Sequence, residues 1–180
     1  MRQLFIDPGA KPGFCETIDG AVVQATHLSD AIYVPEYYEY DKGIDELIIE
    51  AQYPAEYIWR DGRRVRVSRK SQQGLSFTAG RLFERFSADR KYRIEPNVWR
   101  RLLWPPGRPV PPVQYNHPPP KWPKMAKTKR AIITRLWYAY GQWVDERIPV
   151  RNQPDVLEAI GMAHAWMDLT QAQKEAYRVE

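Results

Sequence analysis

Two short apolar runs, each closed by an acid, constrain this chain more than anything else in it. Leu4-Phe5-Ile6 runs into Asp7 and then Pro8-Gly9; Leu47-Ile48-Ile49 runs into Glu50. Runs of this length and composition read as buried strands. A lone carboxylate directly after a buried strand is anomalous, because its desolvation costs on the order of several kcal/mol. A further pair, Asp155 and Glu158, sits at i,i+3 spacing in NQPDVLEAIGMAHAW, which reads as a late helix. The four acids can share one site, and a cluster of that charge is tolerated when cations occupy it. Oxygen-only ligands favour Mg²⁺ or Mn²⁺.

The remaining pattern supplies a scaffold for such a site. Residues 3–7 read as a central strand. Residues 13–18 and 21–26 read as two more, joined by Asp19-Gly20, a two-residue hairpin signal. An aromatic, acidic connector over 35–43 leads to a fourth strand over 45–52. Leu75, Ala79, Leu82 and Phe86, with Phe83 beside them, predict a helix over 72–87. A short strand follows at 91–94. Nine of the sixteen prolines lie between Pro105 and Pro123, which predicts an extended loop and excludes a helix or central strand there. A long helix is predicted over 125–146. The last helix starts at Asn152 or Gln153, carries Pro154 in its first turn and runs to about Asp168. The order predicts one α/β domain over all 180 residues, with the first and fourth strands as central neighbours. That arrangement sets Asp7 beside Glu50 and places Asp155 at the positive end of a helix dipole.

Charge is divided unevenly. Residues 1–58 carry a net charge of −8 and residues 59–101 a net +9, within an overall +5. An acidic segment with metal ligands beside a basic one suits a metal-dependent enzyme acting on a polyanion, with nucleic acid the favoured class. Six basic residues fall within 60–70: Arg60, Arg63, Arg64, Arg66, Arg69 and Lys70, opposed only by Asp61. They read as phosphate contacts or as a solvated hairpin around the Asp61-Gly62 turn. No apolar stretch approaches the roughly 20 residues of a membrane span, and MRQLFIDPG has no signal-peptide layout. Cys15 is the single cysteine, which excludes an internal disulfide and a cysteine-based zinc site and fits a reducing, cytoplasmic setting.

LFIDPG followed by Gly13-Phe14, then LIIEAQY, then PDVLEAIGMAHAW together resemble, in order, the three motif regions of RuvC-like Holliday junction resolvases. These belong to the ribonuclease-H-like superfamily, and the small size of the chain resembles the phage-encoded branch. The resemblance implies a five-stranded mixed sheet flanked by helices. It also implies a crossover junction endodeoxyribonuclease of a bacterial or phage-infected cell. Such an enzyme resolves four-way and other branched DNA by paired phosphodiester cleavage with two Mg²⁺ ions, for which Mn²⁺ substitutes. Asp7, Glu50, Asp155 and Glu158 would be the metal ligands. The family usually ends in Asp-x-x-Asp, so Glu158 departs from it by one methylene. Tyr53 falls where the family often stacks an aromatic at the branch point, and Arg100 and Lys127 fall near its basic DNA-backbone positions.

Two rivals stand beside this reading. One is a nuclease of the same fold acting on flaps, forks or RNA, and the other is a non-catalytic binder of branched DNA. The helix over 125–146 is apolar on more than one face: Ile133, Trp137, Tyr140 and Val144 form a stripe that Ile132, Leu136 and Trp143 widen. The surplus predicts either a homodimer contact centred on Trp137 and Trp143, suited to a two-fold junction, or burial beneath the proline-rich loop.

Overall fold

The structure, a computed structural model, describes residues 1–9, 11–27, 43–51, 57–60, 63–66, 69–104 and 115–179. Three strands, β1 (Arg2–Asp7), β2 (Gly13–Ile18) and β3 (Ala21–His27), form an antiparallel meander. Asp19 and Gly20 have φ of 50° and 81°, the left-handed pair that a tight hairpin demands and that a glycine supplies without strain. β4 (Ile44–Glu50) lies parallel to β1, with Leu4 opposite Leu47 and Ile6 opposite Ile49. A basic hairpin, β5 (Tyr57–Arg60) with β6 (Arg63–Arg66), forms its own two-stranded sheet. The crossover helix α1 (Arg69–Arg85) then leads to β7 (Ala88–Ile94), parallel to β4. The resulting mixed sheet has the order β3-β2-β1-β4-β7.

Both faces of the sheet are covered, which is why the central strand β1 and the second half of β4 read as apolar runs. On one face Leu4, Ile6, Phe14, Leu47 and Ile49 pack against Leu82, Phe83 and Phe86 from α1 and the residue just past it. On the other, Phe5, Cys15, Ile48, Tyr92 and Ile94 meet α4 (Gln153–Met167). That helix is buried on nearly all sides, because α2 (Pro96–Leu103) and α3 (Lys127–Tyr140) pack against it in turn. Among the described residues no helix is long and apolar enough to cross a membrane.

The structure departs from the expected elements in three places. The sequence around Pro96 did not predict a helix, yet α2 starts there with proline in its first turn and Trp99 fully buried. The helix expected over 125–146 stops at Tyr140 and tightens into a 3-10 turn at Gly141–Trp143. Gly141 has no side chain to propagate the helix, and the Tyr115 ring closes on its bare backbone, where a Cβ would lie 2.4 Å from Tyr115 Cδ1. A short α5 (Gln171–Glu175), capped by Thr170 and Gln173, was also unforeseen.

The apolar surplus of α3 is taken up within the chain. Trp137 is buried, with the Tyr115 and Trp122 rings 5.1 and 6.0 Å away, and its indole N–H donates to the His117 carbonyl at 2.9 Å. Residues 115–126, the end of the proline-rich segment and the approach to α3, thus lie over the Trp137 face as an irregular strap. Trp143 remains 44% exposed. At the far edge of the sheet, β7 is covered: Arg93 N–H donates to Tyr177 O and Val179 N–H to Lys91 O, each at 2.9 Å.

Candidate metal centre

Asp7 is the last residue of β1 and Glu50 the last of β4, so two parallel neighbours deliver both acids to the same end of the sheet. Each is only 5% exposed. The first turn of α4 comes down onto this end at very close range. Gly13, paired with Asp7 across β1 and β2, meets the helix backbone directly: a Cβ there would lie 2.1 Å from the Asp155 carbonyl oxygen. At Gly9 a Cβ would sit 3.0 Å from Asp155 Oδ2. Glycine at these two positions is what lets Asp155 reach the strand ends. Glu158, one turn further and 2% exposed, completes the group. Asp7, Asp155 and Glu158 each bring a carboxylate oxygen to within 4.8 Å of the others.

Two cations from the flanking helices enter the cluster. Arg100 of α2 donates from Nη2 to Glu158 Oε1 at 2.5 Å. Lys129 of α3 places its Nζ 2.7 Å from Glu158 Oε2 and 3.4 Å from Asp155 Oδ1. Among the described residues no cation lies within ion-pair distance of Asp7 or Glu50, and Glu50 Oε2 is buried with no hydrogen-bond partner.

The electrostatics follow from that imbalance. Burial, then the charges of Glu50, Glu158 and Asp155, push the Asp7 carboxyl well above the usual range. Burial and Glu158 raise Glu50 to about 7, against the pull of Arg100 and Lys129. Asp155 is raised by burial and by Glu158, with Lys129 opposing. For Lys129 burial works against the ammonium, but Glu158, Asp7 and Asp155 outweigh it and its pKa rises. Four carboxylates against two cations is a site short of positive charge. Its donors are all oxygens, one of them orphaned, which fits a hard divalent cation and not a soft one.

The other residues singled out in the sequence fall in varied places. Arg100 reaches the cluster, whereas Lys127 stands exposed in the first turn of α3. Arg63, Arg64 and Arg66 lie on β6 of the basic hairpin, and Arg69 and Lys70 begin α1. Tyr53 and the connector over 35–42 lie outside the described residues, as do 105–114 of the proline-rich loop. Lys129 was missed. The signal was present, because residues two apart on a helix point to nearly opposite sides and only one of Lys127 and Lys129 can face α4; which one does is decided by how α3 packs. Set against protein-family models, curated proteins and solved structures, the chain matches none.

Proposed function

We propose that this chain is a metal-dependent endonuclease of the RuvC-like type, with a ribonuclease-H-like fold, that resolves four-way and other branched DNA by paired phosphodiester cleavage. One observation carries the reading: Asp7 and Glu50 at the ends of adjacent parallel strands, joined by Asp155 and Glu158 from a helix laid across them. The strand order β3-β2-β1-β4-β7, with an antiparallel meander followed by two parallel strands, supports the fold that the sequence resemblance implies.

Asp7, Glu50, Asp155 and Glu158 would hold Mg²⁺ ions, two in number, with Mn²⁺ able to substitute. When bound, such ions supply an activated water and stabilise the departing oxygen. The chain's own contribution is a dry, anionic floor with Arg100 and Lys129 at its side. The hairpin β5–β6 and the start of α1 add basic residues suited to phosphate contacts, which position DNA without reading its sequence. A homodimer remains part of the proposal because a four-way junction has two-fold symmetry. With Trp137 covered internally, Trp143 is the one of the two expected contact residues that stays exposed.

The test is a gel comparison of four-way, flap and linear duplex DNA in Mg²⁺ and in EDTA. Paired nicks in the junction that vanish in EDTA and in Asp7→Asn, with junction binding retained, are the expected outcome. Nicking by Asp7→Asn at the wild-type rate would remove the proposed site. Equal cutting of flaps would move the substrate to the broader class, and binding with no cutting in any metal would leave a structure-specific binder.

A further inference from the structure

Glu158 is the one acid of the four whose two oxygens are both occupied by full cations. Oε1 takes Arg100 at 2.5 Å and Oε2 takes Lys129 at 2.7 Å, so a single carboxylate ties α2, α3 and α4 together at the cluster. A divalent ion would have to approach either oxygen to about 2.1 Å. There it would share the oxygen with a guanidinium or an ammonium already seated on it, and the repulsion between the like charges would weaken its hold. Asp7 and Glu50 offer no such obstacle, and Glu50 Oε2 already lacks a partner.

The cations keep donors in hand. Arg100 has a buried Nε–H with no acceptor, and its guanidinium lies over the Trp99 ring at 5.0 Å, which fixes its plane. Its side chain is 30% exposed and that of Lys129 is 41% exposed, against 2% for Glu158. The carboxylate is therefore the buried anchor, and the two cations are the parts that still reach solvent. The extra methylene of glutamate gives it the length to meet helices on both sides of α4.

We propose that Glu158 is a positioning residue and not a metal ligand: it clamps Arg100 and Lys129 beside the acid cluster as a two-pronged seat for the DNA phosphate to be cut. The assignment rests on the nuclease reading and narrows the ligand set to Asp7, Glu50 and Asp155.

Two titrations of the full-length protein separate the possibilities: Mn²⁺ followed by electron paramagnetic resonance, and a synthetic four-way junction in EDTA followed by fluorescence anisotropy over a salt series. Asp7→Asn should weaken Mn²⁺ binding by about a hundredfold or more, and Glu158→Gln by clearly less, about tenfold at most. Glu158→Gln should instead weaken junction binding about tenfold and lower the salt slope by roughly one to two, as lost phosphate contacts do. Lys129→Gln, at a partly exposed side chain, should reproduce the junction defect with Mn²⁺ affinity unchanged or raised. If Glu158→Gln loses Mn²⁺ as completely as Asp7→Asn, Glu158 is a ligand and the clamp is wrong while the nuclease reading stands. If Lys129→Gln raises Mn²⁺ affinity and leaves the salt slope alone, Lys129 only fills an ion's place and the clamp is again wrong. If Asp7→Asn binds Mn²⁺ as the wild type does, the metal centre itself fails and this assignment falls with it.

Discussion

β4 carries two buried glutamates, Glu46 and Glu50, on the same face and four residues apart, and they are treated in opposite ways. Glu46 is fully buried, and donors surround it. Gln3 Nε2 at 2.6 Å and Trp166 Nε1 at 3.2 Å donate to Oε2, while Oε1, which has no hydrogen-bond partner, is ion-paired to Arg90 Nη2 at 3.2 Å. Gln3 is in turn fixed by the Thr17 hydroxyl, which donates to its Oε1 at 3.0 Å. Glu50 is nearly as inaccessible, yet among the described residues it has no ion pair, one of its oxygens lacks a hydrogen-bond partner, and the charges around it are mixed, Asp7 and Glu158 against Arg100 and Lys129. Burial of an acid is therefore not the mark of a functional site. What distinguishes the two is that Glu46 has a cation in direct contact and two donors on its other oxygen, whereas Glu50 has no ion pair among the described residues.

That contrast can be broken most directly by activity. Glu50→Gln should reduce junction nicking in Mg²⁺ at least about a thousandfold, roughly 4 kcal/mol in the barrier, because an anionic ligand is lost. Glu46→Gln should stay within about fivefold of wild type. Similar rates for the two variants would erase the distinction.

Stability should respond the other way. Glu46→Ala removes the acceptor shared by Gln3, Trp166 and Arg90, and is expected to cost about 3 kcal/mol in urea unfolding. Glu50→Gln, measured without divalent metal at neutral pH, should be neutral or stabilising, since it removes a buried charge that Arg100 and Lys129 offset only in part. A large destabilisation by Glu50→Gln would mean that its carboxylate has structural partners after all.

The smallest effect lies in pH. Folded Glu50 keeps its proton to about 7 where the unfolded chain releases it near 4.5. Between those values the native state binds more protons, so metal-free stability should fall as pH rises through that window, by about 2–3 kcal/mol at most. The fall should be absent from Glu50→Gln and reduced by saturating Mg²⁺. Urea midpoints at pH 4.5, 6 and 7.5, with and without Mg²⁺, give the comparison; a wild type whose stability rises across this range would contradict the raised pKa.

The acids were legible in the sequence because strand ends and helix period are local signals. Asp7 and Glu50 needed only two apolar runs with parallel pairing, and Asp155 and Glu158 only an i,i+3 spacing. Asp19-Gly20 declared its hairpin for the same local reason. Glu46 gave no warning, since one acid in a strand pattern looks like a solvent-facing residue until Gln3, Trp166 and Arg90 are seen around it. No element was assigned to the stretch after residue 94, where Pro96 begins α2, and with α2 went the geometry of Arg100. Lys129 depends on the rotation of α3 about its axis, which distant packing decides. For Trp137 the pattern offered two outcomes, a dimer contact or burial beneath the proline-rich loop, and the end of that loop covers it.

The pairing of residues 177–179 with β7 has a consequence for the newly made chain. An uncovered edge strand is a template for joining another copy. Synthesis at about 5–20 residues per second completes β7 several seconds before Tyr177 and Val179 exist to shield it. During that interval the strand's own Arg90, Lys91 and Arg93 are what discourage a second ribosome's product from adding to it. The residues that close the edge are made well after the strand they cover, so an interruption of translation between the two would release that strand with its adhesive side open.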